Sequence, residues 1–519
     1  MATVPLGSSQ GKWIMTATIL ASAMAFIDGT ALNVVLPALQ KSLNATGADL
    51  FWLLNAYLLM LASLILIGGS LGDKLGRKKI YMIGILVFIF GSAACGFAPN
   101  VNILITCRVV QGIGGALMIP GSLSLISSSI DEREKGKAIG TWSAVTTIVT
   151  LGGPILGGAL ADAGLWRYIF FINVPIGVAA LIILWKKVAE SKEAGADSAL
   201  DYPGVIMTAL GLALLTFGFL RMPAVGFNNW QVYLTLASGL LLLILFIFTE
   251  KKSLHPMMPL HLFTNRTFSG TNLLTFFLYA GLGSGMLFLS LDLVQAQGYS
   301  QLQSGLTFLP FTLLMIAVAR PAGSFADKAG PRLFLIAGPA MAGAGLLILS
   351  LVGQTKGPSA YWTTFFPGIL VLGLGMSFTV APLTTAVMRS VSDEFSGTAS
   401  GINNAMTRIS NVFANAIFGA LAVLLFAGAL AAKLKHLPLS LEQKNAAVAQ
   451  AANLGNAKPP ENMNAYGKAE VIRSYHESFI TTYAVIMRLS AGLAFLGALM
   501  AVLFVRNPPP AKAGDGPGR

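Results

Sequence analysis

The sequence predicts an all-α polytopic membrane protein, and three observations carry that prediction. Apolar residues make up 55% of the 519-residue chain and charged residues only 11%, with a mean hydropathy of +0.72; a soluble domain carries about 25% charge. The apolar residues gather into roughly fourteen runs of about 20 residues, the length that crosses about 30 Å of hydrocarbon. The lysines and arginines, which leave a net charge of +13, fall mostly between the runs.

The runs lie at approximately 14–38, 50–71, 80–98, 101–126, 138–161, 168–186, 202–221, 231–249, 268–291, 303–326, 333–353, 362–388, 398–430 and 479–505. Glycine and proline are frequent inside them, as in packed membrane helices. The first run is too long for a cleaved signal peptide and reads as an uncleaved span. An even number of spans puts both termini on one side. With the termini inside, about twenty Lys and Arg fall in cytoplasmic segments, Lys74, Arg77, Lys78 and Lys79 among them, against about four in the short outer loops (Lys41, Arg167, Arg221 and Lys356). That asymmetry orients the chain N-in and C-in, and it makes the basic balance a matter of topology with no call for nucleic acid. The long connection 431–478 is then external. It reads as a mobile, partly helical loop or as a docking surface for an outer partner. The Pro-rich end, 507–519, reads as a disordered cytoplasmic tail.

Composition also narrows the chemistry. Cys95 and Cys107 both lie in apolar runs and provide no disulfide framework or metal cluster. The four histidines fall in polar connections, leaving none as a relay within a span. No G-x-x-x-x-G-K-[ST] is present, so the chain does not itself energise a process with ATP. Gly281-Leu-Gly-Ser-Gly sits mid-run with no strand before it and is not a nucleotide loop. No catalytic constellation appears, and no cofactor or metal is expected.

Against that background one acid stands out. Asp28 lies in the middle of the first apolar run, where an ionisable group is costly and marks a functional site by default. Counting at 1.5 Å per residue places Asp28 about 10 Å from the outer face, and Arg108 of the fourth span about 10 Å below the same face. The two can meet at one height. They form either a proton-switchable pair, poised by burial against opposite charge, or a static ion pair that fixes helix packing. There is also an internal repeat. Gly69-Ser-Leu-Gly-Asp-Lys-Leu-Gly-Arg-Lys, between spans 2 and 3, matches Gly323-Ser-Phe-Ala-Asp-Lys-Ala-Gly-Pro-Arg, between spans 10 and 11. If spans 7 and 8 are an insertion, the copies occupy equivalent places in two six-helix halves, an arrangement common in transporters. The domains expected are 1–190 and 261–506, each a six-helix bundle, joined by two accessory helices in 191–260.

Four motifs resemble those of the major facilitator superfamily, and within it the fourteen-span drug:proton antiporters (EmrB/QacA type). They are the Gly69–Lys79 turn; Arg108-Val-Val-Gln-Gly-Ile-Gly-Gly-Ala; Leu151-Gly-Gly-Pro-Ile-Leu-Gly-Gly; and Trp166-Arg-Tyr-Ile-Phe-Phe-Ile-Asn-Val-Pro-Ile-Gly. Ile27-Asp-Gly-Thr-Ala-Leu-Asn-Val-Val-Leu-Pro is similar to a fifth. The resemblance implies a major facilitator fold of two six-helix bundles plus two extra helices. It implies that Asp28 and Arg108 couple to protons. It makes Gly69, Asp73, Gly76, Arg77, Lys78, Asp131, Asp327 and Arg332 a conformational latch, with Arg77 and Lys78 able to pair with Asp131, Glu132 or Glu134. Gly153, Pro154, Gly157 and Gly158 form the antiporter motif, and the Trp166 motif is structural.

The C-terminal half departs from relatives that carry further acids. Span 13 offers Asn404, Arg408, Asn411 and Asn415 on one stripe, either a packing seam or a cavity wall for neutral, zwitterionic or anionic groups. Phe26, Asn33, Asn55, Gln111, Asn272 and Phe276 complete the expected substrate cavity, whose aromatic and Met-rich lining suits lipophilic ligands. The function expected is proton-coupled export of amphipathic, drug-like compounds across the cytoplasmic membrane by alternating access. The partners are then small-molecule substrate, protons, lipid and, by resemblance, a periplasmic adaptor protein. Alternatives are a dedicated exporter of one metabolite or antibiotic and a non-transporting membrane sensor or scaffold.

Overall fold

The computed structural model describes residues 3–131, 134–191, 201–253, 256, 258–392 and 395–507. Among them seventeen α-helices follow one another. These are α1 (Ser9–Leu43), α2 (Gly47–Leu75), α3 (Arg77–Phe97), α4 (Val101–Ser129), α5 (Lys135–Asp162), α6 (Tyr168–Phe171), α7 (Asn173–Lys187), α8 (Tyr202–Val225) and α9 (Trp230–Lys252), then α10 (Arg266–Gln295), α11 (Gln301–Thr307), α12 (Leu309–Ala329), α13 (Arg332–Leu349), α14 (Phe365–Arg389), α15 (Ser396–Leu434), α16 (Leu441–Ala449) and α17 (Ala465–Phe504). Side chains punctuate them. Thr46 and Asp49 form a capping box at α2, Ser300 and Gln303 another at α11, and Asn100 and Asn265 cap α4 and α10. Thirteen helical stretches are long and apolar enough to cross a membrane, with α6 and α7 forming one of them and α11 with most of α12 another. The fourteenth predicted span is α5, whose described apolar stretch, Ile148–Asp162, is shorter.

The packing repeats. In the first half α3 and α2 both lie on α4, and α1 lies on α5 and α7; in the second, α13 and α12 lie on α14, and α10 lies on α15 and α17. Glycines permit the α3–α4 contact: a Cβ at Gly84 would sit 2.8 Å from Met118 N, and one at Gly91 2.7 Å from Gln111 N. The α13–α14 contact is built the same way, with a Cβ at Gly345 2.5 Å from Leu372 N. Between the halves α2 meets α15 and α5 meets α11, while α8 and α9 pair with each other and α8 seats on α2 and α15.

Two expectations about the connections are corrected. The segment 431–478, expected as a partly helical loop, is helical over much of its length. Helix α15 runs on to Leu434, α17 begins at Ala465 instead of near 479, and α16 with a 3-10 turn (Gln450–Asn456) fills the interval. Ala447, Ala451 and Leu454 are buried in the same apolar core as Tyr475 and Phe479, which is why the polar, Ala-rich sequence folds here. His476 consequently lies on a helix, half-buried. At the other end of the predicted tail, Asn507 is ordered, its Oδ1 accepting from Arg332 N; residues 508–519 lie outside the described residues.

Candidate functional site

The first, third, fourth and seventh helices meet at one buried polar cluster. Asp28 and Arg108 are each 1% exposed and their side chains approach to 2.5 Å, Arg108 Nη1 donating to Asp28 Oδ2. Gln111, one turn on from Arg108, closes the ring: its Nε2 donates to Asp28 Oδ1 (2.8 Å) and its Oε1 accepts from Arg108 Nη1 (2.7 Å). The cluster then runs outward through α3 to α7. Gln111 Nε2 also reaches Ser92 Oγ, Asn173 Nδ2 donates to the same oxygen (3.0 Å), and Ser92 donates to Phe170 O. Arg108 lies 4.3 Å above the Tyr57 ring, a cation–π contact that helps replace its lost hydration. Both charges are thus paired and hydrogen-bonded, the condition under which ions tolerate burial.

One residue beyond the acid the environment changes. Gly29 is exposed, and a Cβ there would meet nothing within 4 Å, so α1 turns this face to open space. Thr30, next along, ties α1 to α5 by donating to Thr150 O (3.0 Å). The antiporter motif sits on that contact. A Cβ at Gly153 would collide with Thr30 Oγ1, one at Gly157 would lie 2.7 Å from Ala31 O, and one at Gly158 2.5 Å from Gln301 O of the second half. Pro154 O packs against Gly305. The motif therefore joins α1 to α5 and α5 to α11 in a single turn and a half.

Among the described residues, the hydrogen bonds that join the two halves gather at one end, where α1 finishes and α2 begins. Asp162, the last residue of α5, accepts from Gln301 N (2.8 Å) and Leu302 N (2.9 Å). Gln40 is 3% exposed; it donates to Asn453 O and accepts from Gln295 Nε2 and Asn456 Nδ2, knotting α1, α10 and the 3-10 turn together. Ser290 donates to Asn33 O, and Phe51 packs on Phe288 at 5.8 Å. Sequence reasoning missed Asp162 and Gln40. A lone acid at a span end and a lone glutamine in an apolar run carry no spacing signal, and their partners are far away in the chain.

The expected cavity residues divide. Phe26, against Trp142, and Phe276, against Phe413, are half-buried, as are Asn33 and Asn411, and Asn404 is exposed. Arg408 is half-buried and has no hydrogen-bond or ion-pair partner among the described residues. Three assignments need correction. Gln111 is 0% exposed and belongs to the ion pair, because its i+3 spacing from Arg108 turns it onto the same face. Asn272 is 1% exposed and is held between Phe268 O and Asn403, a helix-packing contact of α10 with α15. Asn55 is 0% exposed with neither amide atom partnered; it lies on the α2 stripe whose neighbours Phe51 and Leu59 face α15 and α8.

Among the described residues, the turns that carry the latch residues are built alike in the two halves. Gly76 (φ +114°) and Gly330 (φ +88°) turn the chain where an L side chain is disfavoured. Just past the last helix of each half, one residue caps the helix after that turn. Glu190 accepts from Lys78 N and Lys79 N, and Asn507 from Arg332 N. The neighbouring cation covers the end of that last helix, Lys78 Nζ donating to Val188 O (2.7 Å) and Arg332 Nη2 to Val502 O (3.0 Å). Lys78 therefore answers carbonyls of the α7 end. Glu134 of that connection accepts from Leu6 N, and Asp131 N donates to Val4 O. Gly69 packs on Pro120. Glu132 and the side chains of Asp73 and Asp327 lie outside the described residues. Arg167 of the Trp166 motif donates to Gly96 O and Ala98 O, closing the end of α3.

Comparison with known proteins agrees with this architecture. The family model described as Major Facilitator Superfamily matches residues 18–415. The chain is 28% identical over 515 residues to a tetracenomycin C resistance and export protein of Streptomyces glaucescens, covering 98% of this chain and 95% of that one. It is 33% identical over 410 residues to the multidrug resistance protein Stp of Mycobacterium tuberculosis, covering 78% and 74%. Its fold matches a crystal structure of a bacterial homologue of the human lysosomal transporter Spinster, in an inward-facing and unoccupied conformation, with a TM-score of 0.65, 17% identity, and 97% and 100% of the two chains covered.

Proposed function

The chain belongs to the major facilitator superfamily, and from that membership we propose that it is a proton-coupled antiporter exporting amphipathic, drug-like compounds across the cytoplasmic membrane by alternating access. The observation that carries the reading is the Asp28–Arg108–Gln111 cluster, sealed from solvent yet one residue from the open face at Gly29. Protonation of Asp28 removes the charge that holds Arg108. An unpaired guanidinium in that setting is costly, so α1 and α4 have a reason to rearrange. The rearrangement has a route. Asp28 is two residues from Thr30, which is bonded to α5; α5 ends on Asp162, which clasps α11 of the other half. With the clasped end outward, as the Lys and Arg distribution orients the chain, the conformation is an outward-closed one, and the latch turns Gly76 and Gly330 lie on the cytoplasmic side. Gly158 and Asp162 are then the contacts that part when the carrier opens outward.

In proteoliposomes with an imposed pH gradient, efflux substrate and protons move in opposite directions, and Asp28→Asn abolishes the gradient-driven component while leaving binding measurable. Full gradient-driven transport by Asp28→Asn overturns the proton role. A second reading has its own support: the tetracenomycin C protein is named for a single antibiotic. A dedicated exporter on the same fold gives resistance to one compound family when overexpressed, and a multidrug carrier to several unrelated structures.

A further inference from the structure

We infer that Arg408 is a recognition site for an anionic group, so that the substrates preferred by this carrier are amphipathic carboxylates, phenolates or sulfonates, with hydrophobic cations disfavoured. The inference rests on the export reading and deepens it by naming the substrate class.

The placement comes first. Along α15, successive residues turn by about 100°. Ala405 and Val412 flank Arg408 on one side and are buried in cores with Tyr57 and Leu61, and with Leu59 and Ala62, of α2. On the other side, Asn403 donates to Thr275 of α10 (2.7 Å), and Asn411 packs against Gly283 of α10. Arg408 therefore points down the seam between α2 of the first half and α10 of the second. There it lies within electrostatic range of Tyr57 and of Tyr279.

The charge balance comes second. Asp28 of α1 is buried and already neutralised by Arg108 at 2.5 Å. Asp292 of α10 is sequestered at the closed end, its Oδ2 accepting from Gln297 Nε2 (3.1 Å), and Glu250 lies at the end of α9. None of these carboxylates pairs with Arg408. A half-buried guanidinium with no carboxylate partner among the described residues, in a low-dielectric wall, attracts an anion and repels a cation. Its geometry adds selectivity, since five N–H donors in a planar fork match a carboxylate or sulfonate two at a time. Asn404 and Asn411, one turn to either side, offer amides to the remaining polar atoms, and the half-buried Phe276 and Tyr279 offer aromatic surface to the apolar body.

The test uses three probes of one shape: 2-naphthoate, 2-naphthamide and (2-naphthyl)methylammonium, with binding to the purified full-length protein read by equilibrium dialysis. Wild type binds naphthoate saturably and at least about tenfold more tightly than the ammonium. Arg408→Gln loses about tenfold or more for naphthoate and much less for naphthamide, with thermal unfolding at the wild-type temperature showing that the variant is folded; Arg408→Lys retains part of the preference. The inference is overturned if naphthoate does not bind saturably, if the ammonium binds as tightly, or if Arg408→Gln keeps the carboxylate preference. The same samples in proteoliposomes under a pH gradient separate the two ideas. Arg408-dependent binding of naphthoate without gradient-driven movement overturns the export reading and upholds the anion site.

Discussion

Two arginines frame the interior, and they live under opposite rules. Arg108, on α4, is 1% exposed; carboxylate, amide and aromatic face all serve it. Arg408, on α15, is half-buried and unpartnered among the described residues. The first is a charge the fold has satisfied, so changing it disturbs the structure. The second is a charge with no partner among the described residues, so changing it costs the fold little. The pseudo-symmetry of the halves sharpens the contrast. Backbone devices such as the Gly76 and Gly330 turns are duplicated, whereas the chemistry at the centre is not.

The largest effect follows from breaking the satisfied pair. Arg108→Leu leaves Asp28 buried without its cation and lowers stability by about 3–5 kcal/mol; the double variant Asp28→Asn/Arg108→Leu recovers much of that loss because no lone charge remains. Thermal unfolding of the purified proteins reads both. A double variant no more stable than Arg108→Leu contradicts the account of the pair.

Next in size is a comparison of two amides, both 0% exposed. Gln111→Leu removes two hydrogen bonds to charged groups and costs about 1.5–3 kcal/mol. Asn55→Leu removes an amide that has no partner, and the result is neutral or stabilising by up to about 1 kcal/mol. Equal losses at the two sites would show that Asn55 is satisfied after all. Comparable in size is Gly158→Val, which drives side-chain atoms into Gln301 and Leu302 and costs about 1–3 kcal/mol in the closed-end conformation. Cysteine labelling near Gln40 then rises, as the end sealed by Gln40 and Asp162 spends more time open. Unchanged labelling argues against α5–α11 as the seal.

The residues explain how far the sequence alone could reach. The helical class, most span positions, the duplicated turn and the meeting of Asp28 with Arg108 all depend on local signals: apolar run length, glycine spacing, and depth counted along a helix. Polarity in a span points Gln111, Asn272 and Asn55 to the cavity wall, because it says that a side chain avoids lipid. It does not say whether water or another helix receives it, and here other helices do. The segment around Leu454 looked mobile because alanine and asparagine carry little local signal. Its order comes from Tyr475 and Phe479 beneath it and from Gln40, more than four hundred residues away in the chain. Long-range closure of that kind leaves no periodicity to read.

The smallest effect on stability belongs to Arg408, and it is the most informative test of the comparison. Arg408→Gln removes a half-buried charge that pairs with nothing described, so the folded state loses no ion pair and no hydrogen bond; stability stays within about 0.5 kcal/mol of wild type. The same substitution at Arg108, sequence-wise just as conservative, belongs to the first class and costs several-fold more. If both arginines prove equally expensive, Arg408 is a structural residue with a partner in the membrane-embedded protein, and the division into a satisfied and an available charge fails. If only Arg108 is expensive, the central space carries one uncompensated positive charge, whose effect is to be sought in ligand preference and not in folding.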